Sequence, residues 1–296
     1  MGSLREQWLI LLSTPIYLIV IGLEILLSHA QRRRSYTLKD TFTNIYLMLA
    51  NSAIDLAFRG IYVWVLQWFY NQRIITLEES ILYWIGLLVA EDFMYYWLHR
   101  IDHICRLFWA VHVTHHSSPQ FNFTVGFRSS VFEPLYRFIF FIPLAWVGFS
   151  PLNIAFMYSA TQIWGILVHT EKIGKLGWLE YFLVTPSHHK VHHASNPRYL
   201  DKNLGMFLIL WDKWFGTFQP ELNDYQPIRY GLTKELEKPG PVNIIFHEWV
   251  AITRDLCRRD LSWKQKMNYV FGPPGWSHDG SRQTSAELRL KERQNS

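Results

Sequence analysis

Charge is scarce in this sequence of 296 residues: 18% of the side chains are Asp, Glu, Lys or Arg, against 49% hydrophobic and 17% aromatic. A chain this poor in charge and rich in apolar surface is not intrinsically disordered. Cysteine is scarcer still. Cys105 and Cys257 allow one bridge at most and form no CxxC, which excludes a disulfide framework and a zinc ribbon. GxGxxG and CxxCH are both missing, and no haem or flavin module is recognisable, so electrons for any redox step are expected from a separate protein or a diffusible cofactor. A net charge of +5 and a pI near 9.1 would suit nucleic acid. In a membrane protein, however, Lys and Arg collect on the cytoplasmic loops by insertion rules alone, and no nucleic-acid partner is expected.

Long apolar runs are what the sequence has instead. Segments 8–27, 44–69, 81–98, 131–149 and 152–169 each approach the length of one membrane pass. The first carries only Glu24 and no small-residue cleavage site, so it reads as a retained helix. The second holds Asn51, Asp55 and Arg59, and the fourth holds Glu133 and Arg137. Ionisable groups at that depth cost about 2.5–3.5 kcal/mol each on insertion scales, so these two segments must face a protein interior or run along the interface. The run Gln31-Arg32-Arg33-Arg34 should stay cytoplasmic, which puts the N-terminus outside and every later histidine motif on the cytoplasmic side. A re-entrant hairpin in place of the fourth and fifth passes gives the same placement. Beyond residue 170 only mixed stretches follow, Leu204–Phe218 and Asn243–Leu256, which suit interfacial or capping helices, and the polar end Ser277–Ser296 reads as frayed. The expected fold is all-α: an integral membrane helical bundle with a cytosolic helical cap. Residues 1–79 would form N-terminal membrane helices, 80–220 a histidine-rich core and 221–296 a cytosolic or interfacial C-terminal segment with a polar tail.

Ten of the thirteen histidines lie between His99 and His193. They form His99/His103, His112/His115/His116 and His188/His189/His192/His193, with His169 alone at the end of an apolar segment. Residues at i, i+3 and i+4 neighbour one another on a helix, so HxxxH and HxxHH each aim two or three imidazoles at one point. Imidazole suits iron, zinc, copper or nickel. A single catalytic zinc needs about three protein ligands, so this supply points to two ions, and all ten residues are candidate metal ligands. Soluble di-iron bundles use Glu with Glu-x-x-His pairs, a register missing here, so the site would be nearly all-histidine. Ring nitrogens that do not bind metal need a carboxylate, carbonyl or water to fix the tautomer. Asp92 and Tyr96 fall on one helical stripe with His99 and His103 and are the candidates for that support, while Asp102 is expected to meet Arg100 or solvent. His29, His247 and His278 read as ordinary surface or core residues. From these residues alone a lipid oxygenase, a zinc-dependent membrane hydrolase and a non-catalytic metal-binding protein remain open.

HxxxH followed by two HxxHH boxes in one membrane chain resembles the fatty acid hydroxylase/sterol desaturase superfamily of non-haem di-iron oxygenases. The strings Tyr-Tyr-Trp-Leu-His-Arg (95–100), Thr-Pro-Ser-His-His-Lys-Val-His-His (185–193), Asp-Lys-Asn (201–203) and Trp-Asp-Lys-Trp-Phe-Gly-Thr-Phe (211–218) resemble its ether-lipid-cleaving branch. The resemblance implies two iron ions, O2 as co-substrate, and an external reductant, either tetrahydrobiopterin or an electron-transfer protein. It implies hydroxylation of a lipid C–H bond, with cleavage of alkylglycerol ethers favoured and sterol or fatty-acid hydroxylation or desaturation as the alternative within the superfamily. One departure is Ile104, where that branch has a glutamate directly after HxxxH. A lipid chain would slide between membrane helices, and Asn122, Arg128 and Arg198 are the candidates to meet its headgroup.

Overall fold

A computed structural model describes residues 4–32, 35–237 and 240–294. Arg33 and Arg34, on which the expected orientation leans, lie outside the described residues. Among the described residues three helices are long and apolar enough to cross a membrane: α1 (Leu4–Ala30), α2 (Leu38–Asn71) and α3 (Ile81–Ile104). At 1.5 Å per residue the 24 residues of α3 extend about 36 Å. Thr37 and Ser80 start α2 and α3 by accepting the backbone N–H groups of Asp40 and Tyr83, donors a helix N-terminus otherwise leaves unpaired.

The fourth expected pass is contracted, while the fifth forms a helix close to its expected bounds. Glu133–Leu135 is a 3-10 turn, and α5 begins only at Arg137 and ends at Val147, 11 residues that reach about 16 Å. Pro134 and the charged Glu133 and Arg137 stop a longer apolar helix from forming there. After the turn at Gly148 and Ser150, α6 (Pro151–Leu167) runs back against α1, α2, α3 and α5. Leu66, Leu87, Phe141, Leu144, Ile154 and Met157 form the largest apolar cluster, where α2, α3, α5 and α6 meet.

Cys105, in an extended conformation, is the sole link between α3 and α4 (Arg106–His116). Later helices are short: α7 (Pro186–His192) and α8 (Leu210–Trp214), then α9 (Pro241–Cys257) and α10 (Trp263–Phe271) packed beneath α4. The described residues contain no strand beyond two isolated bridges, Leu183 with Leu208 and Ala194 with Tyr230. The C-terminal stretch is not frayed over its described part. Ser285–Gln294 forms α11, and Arg289 donates to Leu200 O at 2.7 Å and to Asp201 at 3.2 Å, which ties the tail to the loop beside the histidines.

Candidate metal centre

The sharp bend at Cys105 brings the end of α3 over α4. Arg106, buried at the start of α4, donates to Glu248 at 2.6 Å, to Asp255 at 2.6 Å and to Tyr269 O at 3.1 Å, so α9 and α10 hold the base of this helix. Burial alone would raise the Asp255 carboxyl, but its pairs with Arg282 and Arg106 hold it below the usual carboxylate range.

Nine of the ten clustered histidines converge in two groups. His99, His103, His112, His116 and His192 form the first, and His115, His169, His189 and His193 form the second, and in each group one nitrogen per ring lies within 4.8 Å of those of all the others. The helix repeat explains the sorting. His112 and His116, four apart, share one face of α4, whereas His115 points to the other group. The last box mirrors it: His189 and His193 join the second group and His192 crosses to the first. Each HxxHH therefore gives two rings to one group and one ring to the other.

The tautomers are set from outside. The Nδ1–H of His99 donates to Leu204 O at 2.7 Å, that of His192 to Lys202 O at 3.0 Å, that of His115 to Arg128 O at 2.9 Å and that of His169 to Gly165 O at 2.7 Å. A carbonyl only accepts, so each of these rings presents an unprotonated Nε2 to the interior. His103 Nδ1 faces Asp201 at 3.3 Å, and His112 Nδ1 lies 3.4 Å from Ser130 Oγ. Burial first, then the neighbouring rings, pushes His112, His116, His189, His192 and His193 well below the usual imidazole range, and burial takes His115 down to about 4. These rings are neutral at pH 7, the ligating form.

The inward nitrogens fit metal ions. In the second group the Nε2 atoms of His169, His189 and His193 form a triangle with sides of 3.0, 3.1 and 3.2 Å. In the first, His112 Nε2 lies 3.1 Å from His99 Nε2 and 3.2 Å from His116 Nε2. With the His169 proton committed to a carbonyl, hydrogen bonding cannot satisfy all three sides of that triangle, and lone pairs are pressed together. Two nitrogens about 2.1 Å from a shared cation and about 95° apart at it stand about 3.1 Å from each other. The buried Nε2 atoms of His103 and His192 have no hydrogen-bond partner, as expected of atoms reserved for an ion.

Other expected site residues lie elsewhere. His188, expected among the ligands, has Nε2 3.4 Å from Glu180 and Nδ1 3.2 Å from Leu183 O, outside both groups. Asp92 supports the site at one remove: it accepts from the Phe207 and Leu208 amides and Trp211 Nε1 at 2.8–2.9 Å, fixing the loop that carries Leu204. Tyr96 bonds Thr217 and Arg100 rather than a histidine. Asp102 is buried rather than turned to solvent, accepting from Tyr136 OH at 2.7 Å and lying 3.8 Å from His112 Nδ1. Arg128 and Asn122 are both 1% exposed. Arg128 is committed to Asp40, Asn44, Ser117 and Thr114 O, and Asn122 to Ser35 O, because a buried guanidinium or amide must be paired internally. Arg198 lies over the Tyr225 ring at 4.9 Å, away from both groups. Asp201 is the residue the ligand pattern missed. It bridges His103 and Arg289 from a left-handed backbone, φ 54°, in the Asp-Lys-Asn turn, and that turn was its only sequence signal.

A cavity of about 470 Å³ opens on both groups, with His99, His112, His115, His169 and His189 in its wall. Phe121 lies against His169 and His193 at centroid distances of 5.5 and 5.2 Å and is stacked on Tyr230 at 5.0 Å, covering the second group on another side.

Residues 84–217 match the family model described as fatty acid hydroxylase. Over 271 residues the chain is 33% identical to an alkylglycerol monooxygenase of Xenopus tropicalis, covering 89% of this chain and 58% of that protein. The human alkylglycerol monooxygenase is 34% identical over 272 residues, with 89% and 59% covered. An ornithine lipid hydroxylase of Rhizobium tropici is 31% identical over 201 residues, with 61% and 60% covered. The chain thus spans about three-fifths of the length of these relatives. No solved structure matches it significantly.

Proposed function

We propose that the chain is a member of the fatty acid hydroxylase family, whose model matches residues 84–217, and that it is a membrane-bound, non-haem di-iron monooxygenase that hydroxylates the carbon beside the ether oxygen of an alkylglycerol lipid. One observation carries this reading: two histidine groups, each fit for one ion, share the wall of a single cavity. Two irons, when bound, supply the reduction of O2 and the insertion of one of its oxygen atoms into a C–H bond. His99, His103, His112, His116 and His192 would hold one ion, and His115, His169, His189 and His193 the other.

The protein's own contribution is alignment and exclusion. The carbonyls of Leu204, Lys202, Arg128 and Gly165 hold four Nδ1 protons outward and so keep four Nε2 atoms ready to ligate. Phe127, Ile166 and Met206 line the cavity beside the histidines and keep bulk water from the reacting carbon. Hydroxylation next to an ether oxygen leaves a hemiacetal, which collapses to a fatty aldehyde and the free glycerol hydroxyl. Two electrons and two protons reduce the second oxygen atom to water, so tetrahydrobiopterin or an electron-transfer protein must supply them. The membrane helices and the positive-inside rule support a multi-pass protein with this site on the cytoplasmic side.

The test is direct. Purified protein loaded with iron is incubated with an alkylglycerol, O2 and tetrahydrobiopterin; fatty aldehyde should appear only when all are present. Its absence, with a sterol or fatty acid oxidised instead, would overturn ether cleavage while keeping the oxygenase reading.

A further inference from the structure

Part of the cavity wall is polar and charged at a depth where α2 is apolar enough to cross a membrane and polarity is costly. Asp55 and Arg59 of α2, Glu133, and Arg137 of α5 all line it, together with Gln162 of α6. Asp55 is shared by two cations: Arg59 Nη2 donates to one carboxylate oxygen at 2.7 Å and Arg137 to the other. Arg137 also lies over the Tyr158 ring at 4.6 Å, and Tyr158 OH donates to Glu133 at 3.4 Å. Two guanidinium groups thus face two carboxyl groups, and the wall carries no formal surplus of either sign. Gln162 adds a buried amide whose nitrogen makes no close hydrogen bond and has only the Tyr95 hydroxyl beside it. A second, apolar crevice shares Arg59, Arg137 and Tyr158 and continues past Leu66, Phe138 and Ile154. The polar wall is therefore shared between the chamber beside the histidines and this apolar crevice.

A bare methylene chain against this wall would strip water from charged groups and return no hydrogen bonds. An anionic headgroup would meet as much negative charge as positive. Resting on the reading of the site as a lipid oxygenase, we propose that Asp55, Arg59, Glu133, Arg137 and Gln162 form a specificity site for an uncharged, hydroxyl-bearing headgroup. Hydroxyls both donate and accept, so they can bond the carboxylate edges, the guanidinium edges and the Gln162 amide without leaving a net charge buried. This wall would fix the lipid by its head and hold the adjoining carbon at the histidines, while a mid-chain methylene is left unplaced.

Three lipids with one alkyl chain discriminate the idea: an alkylglycerol, its phosphate monoester, and the alkyl methyl ether that lacks hydroxyls. Wild-type protein should favour the alkylglycerol over both others by about tenfold in kcat/KM. Gln162→Met should lower kcat/KM for the alkylglycerol about threefold to tenfold, while iron content and the rate on the methyl ether, whose head offers no hydroxyl to the amide, stay the same. Asp55→Asn, which leaves the wall net positive, should shift preference toward the phosphate. Equal use of the three lipids by wild type, or equal losses on all three in Gln162→Met, would overturn the proposal. Should wild type oxidise none of them, thermal-shift titration with the same lipids separates the two claims. Selective stabilisation by the alkylglycerol would sustain the headgroup site while the oxygenase reading falls, and indifference to the headgroup would overturn the site itself.

Discussion

The two histidine groups differ in how they are held. The first has five rings, and four of them present Nδ1 to a group outside: Leu204 O, Asp201, Ser130 Oγ and Lys202 O. The second has four rings, its His189 Nδ1 is buried without a partner, and three of the four line the cavity, against two of five in the first. A group with fewer ligands and more of its edge on the cavity leaves more room for a small molecule. Under the proposed function, the first group would be the anchored partner and the second the one nearer O2 and substrate.

Removing a ring from each group breaks the comparison most strongly. His192→Ala takes the first group from five rings to four, and His193→Ala takes the second from four to three. Both should lower oxygen-dependent product formation by more than about a hundredfold, a larger loss than altering a supporting residue brings. Iron per chain, measured by mass spectrometry, should fall further in His193→Ala, and retained turnover in both variants would contradict the assignment.

Supporting residues give effects confined to one group. Asp201→Leu removes the acceptor facing His103 and should weaken iron in the first group about 10- to 100-fold. Gly126→Ala acts on the other: a Cβ there would come within 3.0 Å of Ile166 Cα and 3.2 Å of His169 Nδ1. It should weaken the second group, by about tenfold or less if the His169 ring gives way. Stepwise chelation, with the tighter and looser iron followed separately, should show opposite groups affected. Arg289→Ala, one contact further out, should follow Asp201→Leu in direction but cost only a few-fold.

The smallest effect should reach both groups alike, because α4 supplies rings to each and Asp255 holds its base through Arg106. The Asp255 carboxyl is depressed in the folded protein, so its stabilisation is fully present above its unfolded value of about 4 and is lost as pH falls through the lower folded value. Asp255→Asn should lower Tm by a few degrees above about pH 4, converge with wild type in stronger acid, and leave the ratio of the two irons unchanged.

How far this was legible follows from where the signals lie. α1, α2 and α3 were readable because their apolar runs are long, and the histidine boxes because i, i+3 and i+4 spacing is local. The contraction of the fourth pass was foreshadowed by Glu133 and Arg137, but their grouping with Asp55 across 82 positions needs tertiary structure. Sorting the nine rings into five and four was hidden for the same reason: His115 and His116 are adjacent in sequence yet serve different groups. The carbonyls of Leu204, Lys202, Arg128 and Gly165 carry no side-chain signature, so the sequence offered no trace of them. Arg128 and Asn122 misled because a polar residue near a membrane surface reads the same whether it meets a headgroup or seals a buried joint.

Metal content of the purified, iron-supplied protein, joined to X-ray absorption at the iron edge, tests the account most directly. It predicts two irons per chain, each surrounded by imidazole nitrogens, with one iron lost selectively in His193→Ala. A single ion per chain, zinc retained in preference to iron, or a metal shell without imidazole would contradict it.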